Sequence, residues 1–163
     1  MTIEKKRIIV TGSASGMGEA TLNAYVKAGA HVIGMDVSDE KGIKICDKAN
    51  ENGPGKCSYI HVDVSDKSSV TNSFLKANDL LGGLDTLANP AAIQRSSDAS
   101  DVSVEDWDLM FAVNVKGTML TNQAAYSIMK LNGGGSIINF GSISGLRPEP
   151  SASAYSSAKG AVH

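Results

Sequence analysis

The sequence predicts an α/β fold: a doubly wound parallel sheet of five strands between two layers of helices. Three observations carry this. The apolar run Ile8-Ile9-Val10 empties into a glycine loop, Thr11-Gly12-Ser13-Ala14-Ser15-Gly16-Met17-Gly18, and a helical pattern starts at once behind it. Short apolar runs then alternate with amphipathic stretches along the chain, the pattern of strands joined by crossover helices. The second apolar run ends on a carboxylate, Asp36, about 20 residues beyond the loop, where an acid that reads a nucleotide ribose belongs.

The first strand leads into the loop. Gly12 can take the tight turn out of the strand, Gly16 lets the backbone approach a pyrophosphate, and Gly18 lets the helix lie close on the strand. The spacing is G-x-x-x-G-x-G, so the common G-x-G-x-x-G fingerprint is not simply met. Glu19–Gly29 then reads as a helix with a glycine stop, and His31–Met35 as a buried strand closing on Asp36. Asp36 can accept bonds from the adenosine ribose hydroxyls and repel a 2′-phosphate, which favours NAD(H) over NADP(H); a strand-end turn or helix cap is the plainer alternative, with Ser38-Asp39 next. A polar helix covers 40–52, and a third strand, Cys57–Val62, closes on Asp63-Val64. Ser65-Asp66 can cap a helix running to about Leu81, before Gly82-Gly83.

A short fourth strand, Leu84–Ala88, leads into Asn89-Pro90-Ala91-Ala92. Ser103-x-x-Asp106 opens one long helix through Met129, with Trp107 as its apolar anchor. The fifth strand is Ser136–Phe140; a loop, Gly141–Ala154, follows, and a last helix begins near Tyr155. No repeat, tail or linker divides the chain, so 1–163 reads as a single domain.

Composition narrows the function. The 163 residues carry a net charge of −2 with no basic face, which argues against nucleic acid as a partner. No apolar run reaches the length of a membrane span, and the run after Lys5-Lys6-Arg7 is too short for a signal peptide. Cys46 and Cys57 lack metal-ligand spacing and read as two reduced thiols of a cytoplasmic protein; His31, His61 and His163 show no ligand spacing either, so no metal is expected.

Tyr155 and Lys159 are four residues apart on one helix face. A nearby ammonium stabilises tyrosinate, which makes the phenol a usable acid/base. Tyr126 and Lys130 share that spacing and serve as a control, because Tyr155 alone follows a strand end bearing Ser142, thirteen residues earlier. Open α/β sheets bind ligands at such strand ends.

With Thr11-Gly12-x-x-x-Gly16-x-Gly18, Asp63-Val64, Asn114, Ser142 and Tyr155-x-x-x-Lys159 in this order, the chain resembles the short-chain dehydrogenases/reductases from about Arg7 onward. The resemblance implies a Rossmann-like sheet in the order 3-2-1-4-5 and an NAD(H)-dependent oxidoreductase interconverting a secondary alcohol and a ketone. It implies Tyr155 as the acid/base and Lys159 as the residue that lowers its pKa and binds the nicotinamide ribose. Ser142 would bind the substrate oxygen, and Asn114 would distort its helix and hold a water of the proton relay. Cofactor contacts would come from Gly12, Ser15, Gly16, Met17, Gly18, Asp36, Asp63, Val64, Asn89 and Ala91, joined by Tyr155 and Lys159.

Two departures stand out. The family's Asn-Asn-Ala-Gly is Asn89-Pro90-Ala91-Ala92 here, where proline removes a donor and Ala92 restricts a permissive position. The sequence given ends at His163, within the Tyr155 helix, so the family's two further strands and most of its substrate pocket are expected to be missing. A second expectation is therefore a truncated, catalytically weak or silent dinucleotide-binding relative. In either case the partners expected are a small alcohol or carbonyl compound and further copies of the chain, as a dimer or tetramer.

Overall fold

A computed structural model describes residues 3–163. Five parallel strands form one sheet: β1 (Arg7–Thr11), β2 (His31–Asp36), β3 (Lys56–His61), β4 (Thr86–Asn89) and β5 (Ser136–Asn139). Their spatial order is β3-β2-β1-β4-β5, as the resemblance implied. The register runs Ile9 opposite Ile33 and Leu87, with Leu87 opposite Ile137. Every connection must cross from one end of the sheet to the other, and helices make these crossings: α1 (Gly16–Lys27), α2 (Asp39–Asn52), α3 (Lys67–Leu81), α4 (Val104–Phe111) and α5 (Gly117–Leu131), with α6 (Ser153–Val162) after β5.

Alternation along the strands feeds two cores. Ile8, Val10 and Val32 meet Leu22, Val26, Cys46 and Ala49 beneath α1 and α2. Ile9, Ile33 and Leu87 meet Phe74, Leu120 and Ile128 beneath α3 and α5. Successive residues point to opposite faces, and both faces are covered, so the middles of the central strands are unbroken apolar runs. The start of β1 is tied to the start of β4: Arg7 Nε and Nη2 donate to the Asp85 carboxylate at 3.1 and 2.7 Å, and Nη1 donates to Gly82 O at 2.6 Å.

Helix ends follow their capping residues. Asp66 caps α3 by accepting from Ser69 N–H at 2.6 Å, and Gly82 closes it in the left-handed region at φ +69°. Ser103 caps α4 through Asp106 N–H at 3.1 Å. The long helical stretch expected from Ser103 onward is present as α4, a π-helical turn over Ala112–Lys116, and α5, distorted at Asn114 as the resemblance implied. Trp107 is not buried under this helix; it is 37 % exposed and stacks on Phe111 with centroids 4.7 Å apart. Its helical position turns it outward, where a neighbouring aromatic rather than the core covers it. The last helix begins at Ser153, two residues earlier than Tyr155, and Ile143–Gly145 forms a 3₁₀ turn in the preceding loop.

Two loops are stitched together ahead of α6. Ser97 N–H donates to Ser151 O at 2.9 Å, Ser97 and Ala152 form a parallel bridge, and Ser151 Oγ donates to Asp98 Oδ1 at 2.6 Å. Ser151 sits at φ +55°, a conformation that costs a non-glycine residue about 1–3 kcal/mol. Among the described residues, no helix is long and apolar enough to cross a membrane.

Candidate active site

The glycine loop is shaped by close approach. At Gly12, φ is +59° and a Cβ would stand 2.8 Å from Ala91 Cα. A Cβ on Gly18 would overlap the Gly12 carbonyl, so only glycine lets α1 begin directly on the strand end. Gly16, at φ +52°, has no heavy atom within 4 Å of its Cβ position and presents bare backbone to open space. Ser15 occupies the N-cap of α1 without making a side-chain cap bond. The first N–H groups of the helix thus face outward with its positive dipole end, a seat for an anion.

These residues line a cleft of about 470 Å³ at the C-terminal ends of the strands. Gly12, Ser15, Gly16, Met17, Gly18, Asp36, Asp63, Val64, Ala91 and Tyr155 all contribute to its wall, joined by Pro90, Ala92, Ile93, Gln94 and Val113. Asn89, Asn114, Ser142 and Lys159 stand outside that lining.

Asp36 closes one end of the cleft. Its Oδ2 accepts from Ala14 N–H at 3.0 Å and its Oδ1 from Ser38 N–H at 3.0 Å. The strand-end turn is therefore present, and so is a direct bond to the glycine loop. Two backbone donors leave each oxygen with a further lone pair. Asp63 turns the chain after β3, its Oδ1 accepting from the Ser65 N–H and hydroxyl at 2.9 and 2.7 Å. Val64 packs where Gly117 begins α5; a Cβ on Gly117 would come within 2.9 Å of Val64 Cγ2.

Asn89 is buried and ties strand ends together rather than facing the cleft. Its Oδ1 accepts from Thr11 Oγ1 at 2.6 Å, and its Nδ2 donates to Thr121 Oγ1 at 2.8 Å and to Asn139 Oδ1 at 3.3 Å. Ala91 N–H donates to Thr11 Oγ1 at 3.3 Å, which docks the Pro90-containing loop on the end of the strand that leads into Gly12. Asn114 sits in the π-helical turn, 1 % exposed. Its side-chain amide pairs with both backbone groups of Ile93, each at 2.8 Å. The turn thus fastens the β4 loop, and it widens the helix where Thr118 Oγ1 donates back to Asn114 O at 2.7 Å.

Lys159 is 4 % exposed; its Nζ donates to Phe140 O at 2.7 Å and lies 5.8 Å from the centroid of the Tyr155 ring. Burial lowers its pKa. Ser142 caps the 3₁₀ turn by accepting from Ser144 N–H at 3.2 Å, which leaves its hydroxyl proton available. The His163 ring abuts it, with Nε2 3.0 Å from Ser142 O. Tyr126, the control, is 60 % exposed and lines no part of the cleft. Ile93 and Gln94, which do line it, carry no motif signal; only the docking of the β4 loop reveals them. Cys46 and Cys57 are both free and buried, and among the described residues no group of three potential ligands could hold a metal.

The sequence profile of the short chain dehydrogenase family matches residues 6–163. An uncharacterized oxidoreductase of Staphylococcus aureus (strain N315) is 36 % identical over 164 residues, covering 100 % of this chain and 70 % of the relative. An uncharacterized oxidoreductase of Bacillus subtilis (strain 168) is 34 % identical, covering 98 % of this chain and 58 % of its own. A crystal structure from Sinorhizobium meliloti 1021 superimposes with a TM-score of 0.94 at 28 % identity, covering 99 % of this chain and 64 % of that one. A short chain dehydrogenase from Mycobacterium smegmatis gives a TM-score of 0.94 at 27 % identity, with 98 % and 68 % covered. The chain thus spans roughly three fifths to seven tenths of these relatives' length, and over that span it belongs to the short-chain dehydrogenase/reductase family.

Proposed function

We propose that this protein is an NAD(H)-dependent oxidoreductase that interconverts a secondary alcohol and a ketone, with Tyr155 as the acid/base. The observation that carries the reading is the sharing of one cleft by the glycine loop, Asp36 and Tyr155. The residues present fit a dinucleotide. The bare backbone at Gly16 and the start of α1 suit a pyrophosphate, and the Asp36 carboxylate suits a ribose diol. Asp36 would repel a 2′-phosphate, and Ser13, Ala14 and Ser15 offer it no cation.

When bound, the nicotinamide supplies or accepts the hydride at the carbon under attack. Tyr155 gives its hydroxyl proton to the carbonyl oxygen in reduction and takes it back in oxidation. The Lys159 ammonium, close to the ring, stabilises the tyrosinate that results. Ser142 donates its free hydroxyl proton to the same oxygen and holds it in line, a positioning task. The buried Asn114 keeps the β4 loop, and with it Ile93 and Gln94, at the cleft wall. The reading takes a small alcohol or carbonyl as substrate and a homo-oligomer as the assembly.

Fluorescence titration with NADH and NADPH, coupled to an NADH-linked carbonyl assay, tests this. NADH should bind more tightly than NADPH, and Tyr155→Phe should cut turnover by roughly 10²–10⁴-fold while leaving NADH affinity nearly intact. A greater loss in Tyr126→Phe would misplace the site, and tighter NADPH would overturn the cofactor preference. Firm NADH binding with no turnover across a panel of carbonyls would favour the silent dinucleotide-binding relative.

A further inference from the structure

Behind Asp36 stands a residue that no motif singles out. Tyr59 projects from β3 across the end of β2, and its hydroxyl donates to the Asp36 carbonyl at 2.6 Å. Val62 N–H donates to the same carbonyl at 2.9 Å. Both lone pairs of that oxygen are therefore taken, and the last peptide of β2 is fixed from two directions. We propose that Tyr59 is a positioning residue for cofactor recognition, holding the Asp36 main chain so that its carboxylate is presented to the adenosine ribose hydroxyls. The inference rests on the NAD(H) reading above and assigns a function to a side chain outside the cleft.

The surroundings are built around this hydroxyl. Gly42 lies in the interior of α2, where glycine costs about 1 kcal/mol relative to alanine. A Cβ at Gly42 would overlap the Tyr59 ring, so the missing side chain is the passage through which the phenol reaches Asp36. Tyr59 Oη also stands 2.9 Å from Asp39 Oδ1, which receives His61 Nδ1 at 2.7 Å as well. The phenol has one proton for two acceptors, and the shorter contact is to Asp36. Burial, reinforced by the Asp39 carboxylate, pushes the Tyr59 pKa up, so the proton stays on the phenol at working pH.

Asp36 in turn grips the glycine loop through Ala14 N–H and the following turn through Ser38 N–H. Rotation of the Asp36 peptide would break these bonds and swing the carboxylate away from the cleft. The Tyr59 hydroxyl opposes that rotation with one short hydrogen bond, at a strand end that no further strand residue stiffens.

The test uses Tyr59→Phe, which keeps the ring beside Gly42 and removes only the hydroxyl. Affinities are measured for NADH and for its analogue lacking the adenosine 2′-hydroxyl, with melting temperature followed in parallel. Loss of one hydrogen bond's worth of positioning should weaken NADH by roughly 3–10-fold. The deoxy analogue, which lacks one of the two hydroxyls Asp36 is positioned to meet, should lose less, under about 2-fold. Gly42→Ala, which displaces the ring, should reproduce the same selective loss. Equal weakening of both ligands, or no change in either, would overturn the proposal while leaving the NAD(H) reading standing. Failure of NADH to bind the wild-type chain would overturn both.

Discussion

The Arg7–Asp85 pair fastens the strand that delivers the glycine loop, and Asp85→Asn measures what that fastening contributes. The hydrogen bonds from Arg7 hold the Asp85 carboxyl at about 2, down from its ordinary 3.8, against a smaller opposing effect of burial. At about 1.36 kcal/mol per tenfold change in proton affinity, that corresponds to roughly 2 kcal/mol. The two side chains are 26 % and 23 % exposed, so solvent screening reduces the figure to about 1–2 kcal/mol. The sign follows from the depressed value. The stabilisation is fully present above the unfolded carboxyl's range and is lost as pH falls towards 2, with about half gone by pH 3. Urea unfolding followed by circular dichroism at pH 7 and pH 3 reads this directly. Asp85→Asn should cost about 1–2 kcal/mol at pH 7 and about half that at pH 3. A difference that stayed the same at both pH values would refute an ionic origin for the clamp.

Two further outcomes follow from contacts at the cleft. In Gly18→Ala the new methyl overlaps the Gly12 carbonyl, so the start of α1 must move off the strand. NADH affinity, read by the same titration, should fall at least about tenfold, a difference of about 1.4 kcal/mol. Asn114→Ala strips both backbone groups of Ile93 of their partner. Unfolding should show a loss of roughly 2–4 kcal/mol, and a loss below about 1 kcal/mol would mean that water replaces the amide.

Much of the scaffold could be read from the residues because parallel strands buried on both faces leave an unbroken apolar signature. Ile8-Ile9-Val10 and His31–Met35 could be placed within a residue or so, and the Asp66 and Gly82 caps bounded α3 from local chemistry alone. The long helix was harder. Its apolar period continues through Val113, and only the family resemblance marked Asn114 as a point of distortion; the turn answers to Ile93, twenty-one residues away. The site divides in the same way. The glycine loop, Asp36 and Tyr155 obey short-range spacing and fall on one cleft. Asn89 looked like a cleft residue but is spent on Thr11, Thr121 and Asn139, partners from three other elements. Tyr59 and Gly42 resembled an ordinary strand residue and an ordinary weak point in a helix. Their relation exists only once α2 is folded back over β3.

The stitched loops ahead of α6 bear on the rotational phase of that helix. Its first backbone bond runs from Ser156 N–H to Ala152 O at 2.7 Å, and Ala152 is the residue bridged to Ser97. A helix advances 100° per residue, so a one-residue slip in where it starts would turn Tyr155 from the cleft to the flank. Within Tyr155–Lys159, the bond from Lys159 Nζ to Phe140 O opposes such a slip from one end. Ser97, Asp98 and the left-handed Ser151 together set the origin from which the helix counts, so the aim of the proposed acid/base is fixed in part by residues that precede its helix.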